Sequence, residues 1–254
     1  MDDTPLPLTA HLAELRTRIV RILIAIILGA AACWSYKEET FALLLRPALR
    51  ALAPGGGRLQ ALAPGEIFFT YIKCTLLVGF VAALPVVFWQ IWGFVAPGLY
   101  PREKRLAFPF VLVSTLLFLG GAAFGYFVVF PIMFAFFSSF ENQYVEAAWT
   151  MREVFSFTVQ MFLAFGVAFE LPVLVFFLAL AGIVDARQLV GGFKYAVLGA
   201  FVLSAVLTPT PDIVTQTLLA GPLIVLYLLG VGAAWLFARQ RAAPEADSTP
   251  ATTA

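Results

Sequence analysis

Three glutamates occupy positions where a carboxylate would have chemical consequences. Glu170 is the ionisable residue of the apolar stretch LAFGVAFELPVLVFFLAL, while Glu14 and Glu103 lie beside basic residues, in HLAELRTRI and YPREKR. Two carboxylates that lie together can accept paired hydrogen bonds from guanidinium groups, a geometry that lysine cannot copy. The elements that carry Glu14 and Glu103 therefore decide whether they can form a site for arginine side chains.

The composition is that of a membrane protein. The chain is 61% hydrophobic and only 12% charged, with a mean hydropathy of +0.93. Soluble domains are about a quarter charged. The net charge of +1 gives no basic field that would favour nucleic acid as a partner. Cys33 and Cys74 lie in or beside apolar runs, which predicts two buried free thiols, with a single disulfide as the alternative.

Six apolar runs predict an all-α integral membrane protein, since a helix that crosses the hydrocarbon needs about 20 residues. The runs lie at about 17–36, 69–95, 107–137, 153–181, 193–207 and 213–237. The fifth would form a helix of only about 22 Å, and the sixth begins with the polar stretch IVTQT. We therefore predict short fifth and sixth helices in a locally thinned or hydrated membrane. We expect kinks rather than breaks at the prolines of these runs, Pro85, Pro131, Pro172 and Pro222.

The distribution of basic residues predicts the orientation of the chain. With both termini on one side, ten basic residues fall there: Arg16, Arg18, Arg21, Arg102, Lys104, Arg105, Arg187, Lys194, Arg239 and Arg241. Six fall on the other: Lys37, Arg46, Arg50, Arg58, Lys73 and Arg152. This excess predicts that both termini are cytoplasmic. We expect residues 1–238 to form a single six-helix transmembrane domain and 239–254, RQRAAPEADSTPATTA, to form a disordered cytoplasmic tail.

This topology brings Glu14 and Glu103 to the same membrane level on the cytoplasmic side. The first motif predicts an amphipathic helix that enters the membrane with Glu14 exposed at its start. The simpler alternative for Glu14 is a local ion pair with Arg18, four residues along. The alternative for Glu103 is a solvated turn whose basic neighbours serve only orientation.

On the outer side, FALLLRPALRALAPGGGRL at 41–59 predicts a short helix along the membrane interface. Its leucines recur at helical spacing, with Arg46 and Arg50 opposite, and we expect a break at Pro47. Residues 138–152 predict a second outer cap. The alternative is that both segments only brace the helices.

Glu170 is predicted near the middle of the membrane, where an ionised carboxylate costs about 2.5–3.5 kcal/mol. It is therefore either protonated and bonded to the carbonyl of Ala168, which Pro172 frees, or placed on a concave, water-accessible face. A second polar patch marks the start of the sixth run and comprises Thr208, Thr215, Gln216 and Thr217. These residues either satisfy their own helix start or contact partner helices.

Five stretches in order resemble the TatC family of the twin-arginine protein translocase. They are HLAELRTRI at 11–19, FVAPGLYPREKR at 94–105, FGYFVVFP at 124–131, FGVAFELP at 165–172 and LTPTPDIVTQTLLAGPL at 207–223. The resemblance extends from residue 8 to about 238. The last stretch has TPTPD where the family pattern is TPPD, one residue shorter.

The resemblance implies binding of twin-arginine signal peptides on the cytoplasmic face. The implied residues are Leu12, Glu14, Arg16, Arg18, Phe94, Pro97, Leu99, Tyr100, Glu103 and Arg105. It implies a functional proline at Pro47 in the outer loop, and a concave face with Glu170. It also implies that Thr208, Thr215 and Gln216 belong to a docking face for the single-span subunits TatA and TatB, in a multi-copy receptor complex of the bacterial inner membrane.

The function expected is that of a receptor and core subunit that exports folded proteins with the proton-motive force. The alternative is a proton-coupled small-molecule transporter with Glu170 as the carrier site, although transporters commonly show internal repeats, which this sequence lacks. An enzyme is not expected, because the single histidine, His11, lies outside the predicted spans and no HExxH or Walker motif occurs. We expect no catalytic, cofactor or metal site.

Overall fold

The computed structural model describes residues 8–52, 59–95, 107–142, 144, 149–180, 183–184, 186–207 and 213–246. The chain forms two compact units, Met1–Phe162 and Leu163–Ala254. Within the described ranges the structure is helical, apart from turns and one isolated bridge between Gln60 and Thr150.

The first unit contains two long helices that cross closely. Helix α1 is Leu8–Cys33 and α4 is Glu66–Val95. Gly29 faces Gly79 at the crossing, where a Cβ added to Gly79 would lie 2.4 Å from the Ala30 backbone nitrogen and 2.6 Å from the Ile26 carbonyl oxygen. Two glycines therefore allow direct backbone contact, as small residues do between membrane helices.

Between these helices, the segment predicted to form an interfacial helix is helical in two pieces, and its place at the membrane interface stays a prediction. A 3₁₀ turn, Trp34–Tyr36, leads into α2, Lys37–Leu44, and α3 spans Arg46–Leu52. Leu44, Leu45 and Ala48 are buried, while Arg46 and Arg50 are exposed, which confirms the predicted amphipathic pattern. The break lies at Leu45 rather than at Pro47, because proline fits the first turn of a helix and prevents α2 from continuing into it.

The third span is one long helical segment with an insertion. It comprises α5, Ala107–Phe124, a π-helical turn, Gly125–Val129, and α6, Phe130–Ser138. The N–H of Phe130 donates to the carbonyl of Gly125, five residues back. Pro131 cannot donate to Phe127, and the π turn accommodates this gap. Helix α5 is joined to α4 by the Trp92 indole N–H, which donates to the buried hydroxyl of Ser114 over 3.2 Å.

At the other end of α4, Glu66 links two segments that are distant in sequence. Its Oε2 accepts the backbone N–H of Leu62 at 2.8 Å, and its Oε1 accepts that of Arg152 at 2.8 Å. Arg152 lies in the first turn of α7, Met151–Ala168. One carboxylate therefore serves the beginnings of two helices, beside the bridge in which Gln60 N–H donates to Trp149 O at 3.0 Å.

The second unit is organised around α11, Ile213–Ala246. It packs against α8, Leu171–Leu180, α9, Ala186–Gly191, and α10, Phe193–Leu207. Gly230 permits the approach of α8, since an added Cβ there would lie 3.1 Å from the Cα of Pro172. The buried core of this unit includes Ala200, Ala220, Leu223 and Leu226.

Five described helical segments are long and apolar enough to cross a membrane, and the fifth predicted run forms a shorter helix, Phe193–Leu207, at the predicted bounds. The prediction of a short sixth helix is wrong. Helix α11 has 34 residues, 23 of them in an apolar span, because the alanines and arginines that follow continue the helix. The division into a 1–238 domain and a 239–254 tail stays a prediction.

The prolines have different effects. Pro85 and Pro222 lie inside α4 and α11, as expected. Pro172 is different, since α7 ends at Ala168 and α8 begins at Leu171. The expectation of a kink without a break is wrong there. Pro172 has no N–H to donate to the Ala168 carbonyl, and residues 169–170 form a turn between the two helices. Both cysteines are free, as predicted, with Cys74 buried and Cys33 half-buried.

Candidate functional site

The acidic residue of the first motif is held by a neighbouring arginine. The Arg18 Nε and Nη2 groups both donate to Glu14 Oε1, at 2.9 Å and 2.5 Å. The local ion pair that the spacing allowed is therefore present. The pair is partly open, with the Glu14 side chain 34% exposed and that of Arg18 19%. Within the described chain, Glu14 Oε2 accepts no hydrogen bond, so the carboxylate keeps capacity for another donor.

Arg18 also reaches the end of α4, more than 70 residues away in sequence. Its Nη1 donates to the Gln90 carbonyl at 3.2 Å, and its Nη2 donates to the Gly93 carbonyl at 2.9 Å. Gly93 lies in the last turn of α4, where carbonyls lack intrahelical donors and a cation is favoured by the helix dipole. Arg18 therefore caps α4 and positions the Glu14 carboxylate beside it.

A glycine makes room for this contact. A Cβ added to Gly93 would lie 2.5 Å from Arg18 Nη1. The buried Gln90 side chain adds a second, longer contact, with its Oε1 3.4 Å from Nη1. The planar guanidinium therefore contacts one carboxylate, two carbonyls and one amide at once, which the single ammonium of lysine could not do.

Of the remaining described residues of the predicted peptide site, Phe94 lies beside this cluster, while Leu12 and Arg16 are exposed elsewhere on α1. Phe94 stacks on His11, with ring centroids 4.3 Å apart. Leu12 is 64% exposed, and Arg16 is exposed on the same helix. The structure thus brings Glu14, Arg18 and Phe94 together at the junction of α1 and α4, whereas Leu12 and Arg16, two residues from Glu14, lie on another face of α1.

The other half of the predicted site lies outside the described residues. It consists of Pro97, Leu99, Tyr100, Glu103 and Arg105. The convergence of Glu14 and Glu103 into one binding site for two arginines therefore stays a prediction.

Pro47 has a definite place in the first unit. It is buried in the first turn of α3, which packs against α6. The carbonyl of Leu43, four residues before Pro47, cannot receive its N–H, and the Tyr126 hydroxyl donates to that carbonyl at 2.5 Å instead. The proline therefore fixes a helix break that the third span stabilises through a tyrosine.

Glu170 occupies the break between α7 and α8. Its backbone N–H donates to Val167 O at 3.0 Å, and its own carbonyl accepts the N–H of Leu174 at 2.9 Å. The side chain is half-buried, with Oε1 out of contact with solvent. Whether Glu170 belongs to a concave face stays a prediction.

The polar patch of the sixth span is only partly described. Thr215 is 1% exposed and Gln216 is half-buried, both in the first turn of α11, whereas Thr208 lies outside the described residues. Burial of Thr215 fits the alternative in which the patch serves its own unit.

Three residues of these clusters were missed by the sequence analysis. Gln90 and His11 contribute to the α1–α4 junction, and Glu66 serves two helix starts. Only Glu66 had a local signal, because an acidic residue in the first turn after Pro64–Gly65 is typical of a helix start. In the described part of the chain, no group of His, Cys, Asp and Glu has the arrangement of a metal site.

Comparison with known proteins assigns the family. The model of the Sec-independent protein translocase protein TatC matches residues 10–222. The protein of that name from Azotobacter chroococcum mcd 1 is 44% identical over 250 residues, 98% of this chain and 97% of that protein. The one from Escherichia coli (strain K12) is 38% identical over 231 residues, 91% of this chain and 88% of that protein.

A crystal structure of the twin arginine translocase receptor TatC has the same fold. Its TM-score is 0.78 at 36% identity, covering 89% of this chain and 98% of that one. The motifs, the helical membrane architecture and these similarities lead to one conclusion. This chain belongs to the TatC family of Sec-independent protein translocase proteins.

Proposed function

We propose that this multi-pass membrane protein is the receptor and core subunit of a twin-arginine translocase. It binds twin-arginine signal peptides on the cytoplasmic side and assembles with TatA and TatB to export folded proteins, driven by the proton-motive force. The observation that carries the proposal is the Glu14–Arg18 pair at the end of α4, in a chain of this family.

The geometry suggests how a peptide arginine would bind. Arg18 occupies Glu14 Oε1, while Oε2 accepts no bond from the described residues. A peptide guanidinium can therefore bind Oε2 without displacing Arg18, and the α4 cap stays intact. The Phe94 ring offers apolar contact to the residues that flank the arginines, and Leu12, exposed on another face of α1, is proposed to contact the peptide farther along. In this proposal Glu103 receives the second arginine, with Arg16, Pro97, Leu99, Tyr100 and Arg105 completing the site.

A crosslinking comparison tests the recognition step. A photo-reactive twin-arginine peptide and its twin-lysine counterpart are offered to membranes that contain the native chain, Glu14→Ala, or Glu39→Ala as a control on an exposed glutamate of α2. We expect the twin-arginine adduct with the native chain and the control only. Equal adducts with Glu14→Ala, or equal labelling by the lysine peptide, would refute the recognition proposal.

The second unit is proposed to dock partner helices through Glu170, Thr208, Thr215 and Gln216. Polar contacts between membrane helices average under about 1 kcal/mol, so several must act together. Glu170→Ala should reduce co-purification of TatA and TatB while leaving the peptide adduct unchanged. Dependence of small-solute uptake on Glu170 would instead support the transporter alternative.

The remaining features follow from the same proposal. The chain lies in the bacterial inner membrane with both termini cytoplasmic, associates with further copies of itself, and needs no cofactor. Accessibility labelling of single cysteines placed at residues 16 and 50 in intact cells tests the orientation. Labelling of position 16 from outside would contradict it.

A further inference from the structure

A groove with a cationic edge runs along the first unit, away from the Glu14 cluster. It lies between α3 and the third span and encloses about 440 Å³. Its lining includes Arg46, Pro47, Arg50, Tyr126, Phe127 and Pro131. None of the functions proposed above uses its two arginines.

The two arginines form a cationic pair without an internal counter-charge. Arg46 and Arg50 are one helical turn apart on α3, and both are exposed. Both line the groove together with Tyr126. In the described part of the chain neither guanidinium takes part in an ion pair. The cationic edge is therefore available to an anion from outside the chain.

An apolar hollow continues from this groove. It encloses about 280 Å³ and shares Leu43, Tyr126 and Phe127 with the groove. Its other walls include Leu77, Val78 and Val81 of α4. The Phe127 side chain, 72% exposed, lies at the junction of the two spaces. A ligand that fills both must therefore be anionic at one end and hydrocarbon at the other.

We infer that this groove and hollow form one binding site for an anionic glycerophospholipid. The phosphate lies against Arg46 and Arg50, and one acyl chain passes over Phe127 into the hollow. Paired guanidiniums suit phosphate because each can donate two parallel hydrogen bonds. Each buried methylene of the chain adds favourable apolar contact.

Charge favours a lipid over the other occupants of a membrane groove. An apolar helix of a partner would desolvate two guanidiniums without neutralising them, which is unfavourable. A free phosphate would leave the apolar hollow empty. A lipid satisfies both ends, and α3 is expected to lie along the interface where lipid head groups are found.

The test measures lipid binding to the purified full chain in detergent. Native mass spectrometry follows a titration with palmitoyl-oleoyl phosphatidylglycerol, with phosphatidylcholine of the same chains, and with glycerol phosphate. We expect the phosphatidylglycerol adduct to form at the lowest concentration. The double variant Arg46→Gln/Arg50→Gln should bind it at least about tenfold more weakly.

A matched control removes the same charge elsewhere in the same unit. Lys73→Gln/Arg152→Gln also loses two exposed cations and should bind phosphatidylglycerol like the native chain. Phe127→Ala should weaken the binding of both phospholipids, while phosphatidylglycerol should still bind more tightly than phosphatidylcholine. Melting curves in lipid-free detergent establish that each variant is folded. Because Phe127→Ala removes only an exposed ring, it keeps the test decisive if the arginine variant does not fold.

Three results would overturn the inference. Equal weakening by the Lys73/Arg152 control would mean that the lipid responds only to overall charge. Equal binding of glycerol phosphate would mean a phosphate site without a lipid chain. Full native affinity in both the arginine variant and Phe127→Ala would mean that the lipid binds elsewhere. None of these results bears on signal-peptide binding, so the two proposals fail independently.

Discussion

The two ends of α4 solve the same physical problem with opposite charges. At its beginning, the Glu66 carboxylate accepts backbone N–H groups of Leu62 and Arg152. At its end, the Arg18 guanidinium donates to the carbonyls of Gln90 and Gly93. Each charge has the sign that the helix dipole favours. Both ends thereby connect α4 to a segment distant in sequence.

The two ends differ in whether a carboxylate oxygen remains able to accept another hydrogen bond. Glu66 uses both carboxylate oxygens on backbone donors, so its role is structural. Arg18 brings its own carboxylate partner, and Glu14 Oε2 accepts no bond from the described residues. The end capped by Arg18 thus keeps a carboxylate oxygen of Glu14 accessible to a ligand. At the end capped by Glu66, both carboxylate oxygens are already occupied. The comparison predicts that substitutions at Glu14 lower peptide affinity, whereas substitutions at Glu66 lower thermal stability.

The largest effect is expected at the C-terminal end of α4. Glu14→Ala should weaken the binding of a twin-arginine peptide by at least about 30-fold, because it removes a carboxylate that accepts hydrogen bonds from a peptide guanidinium. Its melting temperature should stay close to the native value, since the pair is partly open to solvent and the Arg18 bonds to the α4 carbonyls remain. Fluorescence anisotropy of a labelled peptide and thermal unfolding in detergent measure both. Loss of stability equal to that of Glu66→Ala would end the distinction between the two ends.

Glu103→Ala and Glu103→Gln extend this test to the second motif. Both should lose most of the peptide affinity, since the proposal depends on charge rather than size. Native peptide affinity in Glu103→Gln would show that the charge of Glu103 does not contribute to the site.

The N-terminal end of α4 should respond in the opposite way. Glu66→Ala should lower the melting temperature by a few degrees, because the starts of α4 and α7 lose their acceptor. Peptide affinity should stay native. Glu141→Ala, on an exposed glutamate of the same unit, is the matched control. A peptide-binding defect in Glu66→Ala without a loss of stability would contradict a purely structural role.

A smaller effect is expected from Gly93→Ala. The added methyl would lie 2.5 Å from Arg18 Nη1, so the guanidinium must leave the α4 carbonyls. Peptide affinity should fall only a few-fold, because Glu14 remains but is less firmly positioned. Gly120→Ala, where an added Cβ meets open space, controls for the change of residue type. Unchanged affinity would show that the Arg18 cap does not position Glu14.

The smallest effect is expected for the neutral hydroxyl of Tyr126, which donates to the Leu43 carbonyl at the break between α2 and α3. Tyr126→Phe removes the donor to the Leu43 carbonyl and should cost about 1 kcal/mol or less of unfolding free energy, since the bond is partly open to solvent. Thermal unfolding beside Tyr144→Phe, an exposed tyrosine, measures it. A loss larger than that of Glu66→Ala would mean that the Tyr126–Leu43 bond contributes more to stability than the Glu66 contacts.

Much of the architecture could be predicted from local patterns. Apolar runs marked every described span, and the bounds 193–207 matched α10 because polar or turn residues limit the run on both sides. The amphipathic spacing gave the exposed arginines of α3. The local pattern failed at Pro172 and at the end of α11, because helix termination depends on the competition between proline, helix propensity and surrounding contacts.

Sequence alone determined the helical membrane fold, the family and the identity of Glu14 as a candidate binding residue, since these depend on composition, short periodicities and the order of motifs. Only the tertiary structure decided that Arg18 caps α4, that Gly29 meets Gly79, and that Glu66 serves α7. These contacts join residues separated by 50 to 86 positions. Periodicity describes one helix at a time, whereas packing selects which helix ends and faces meet.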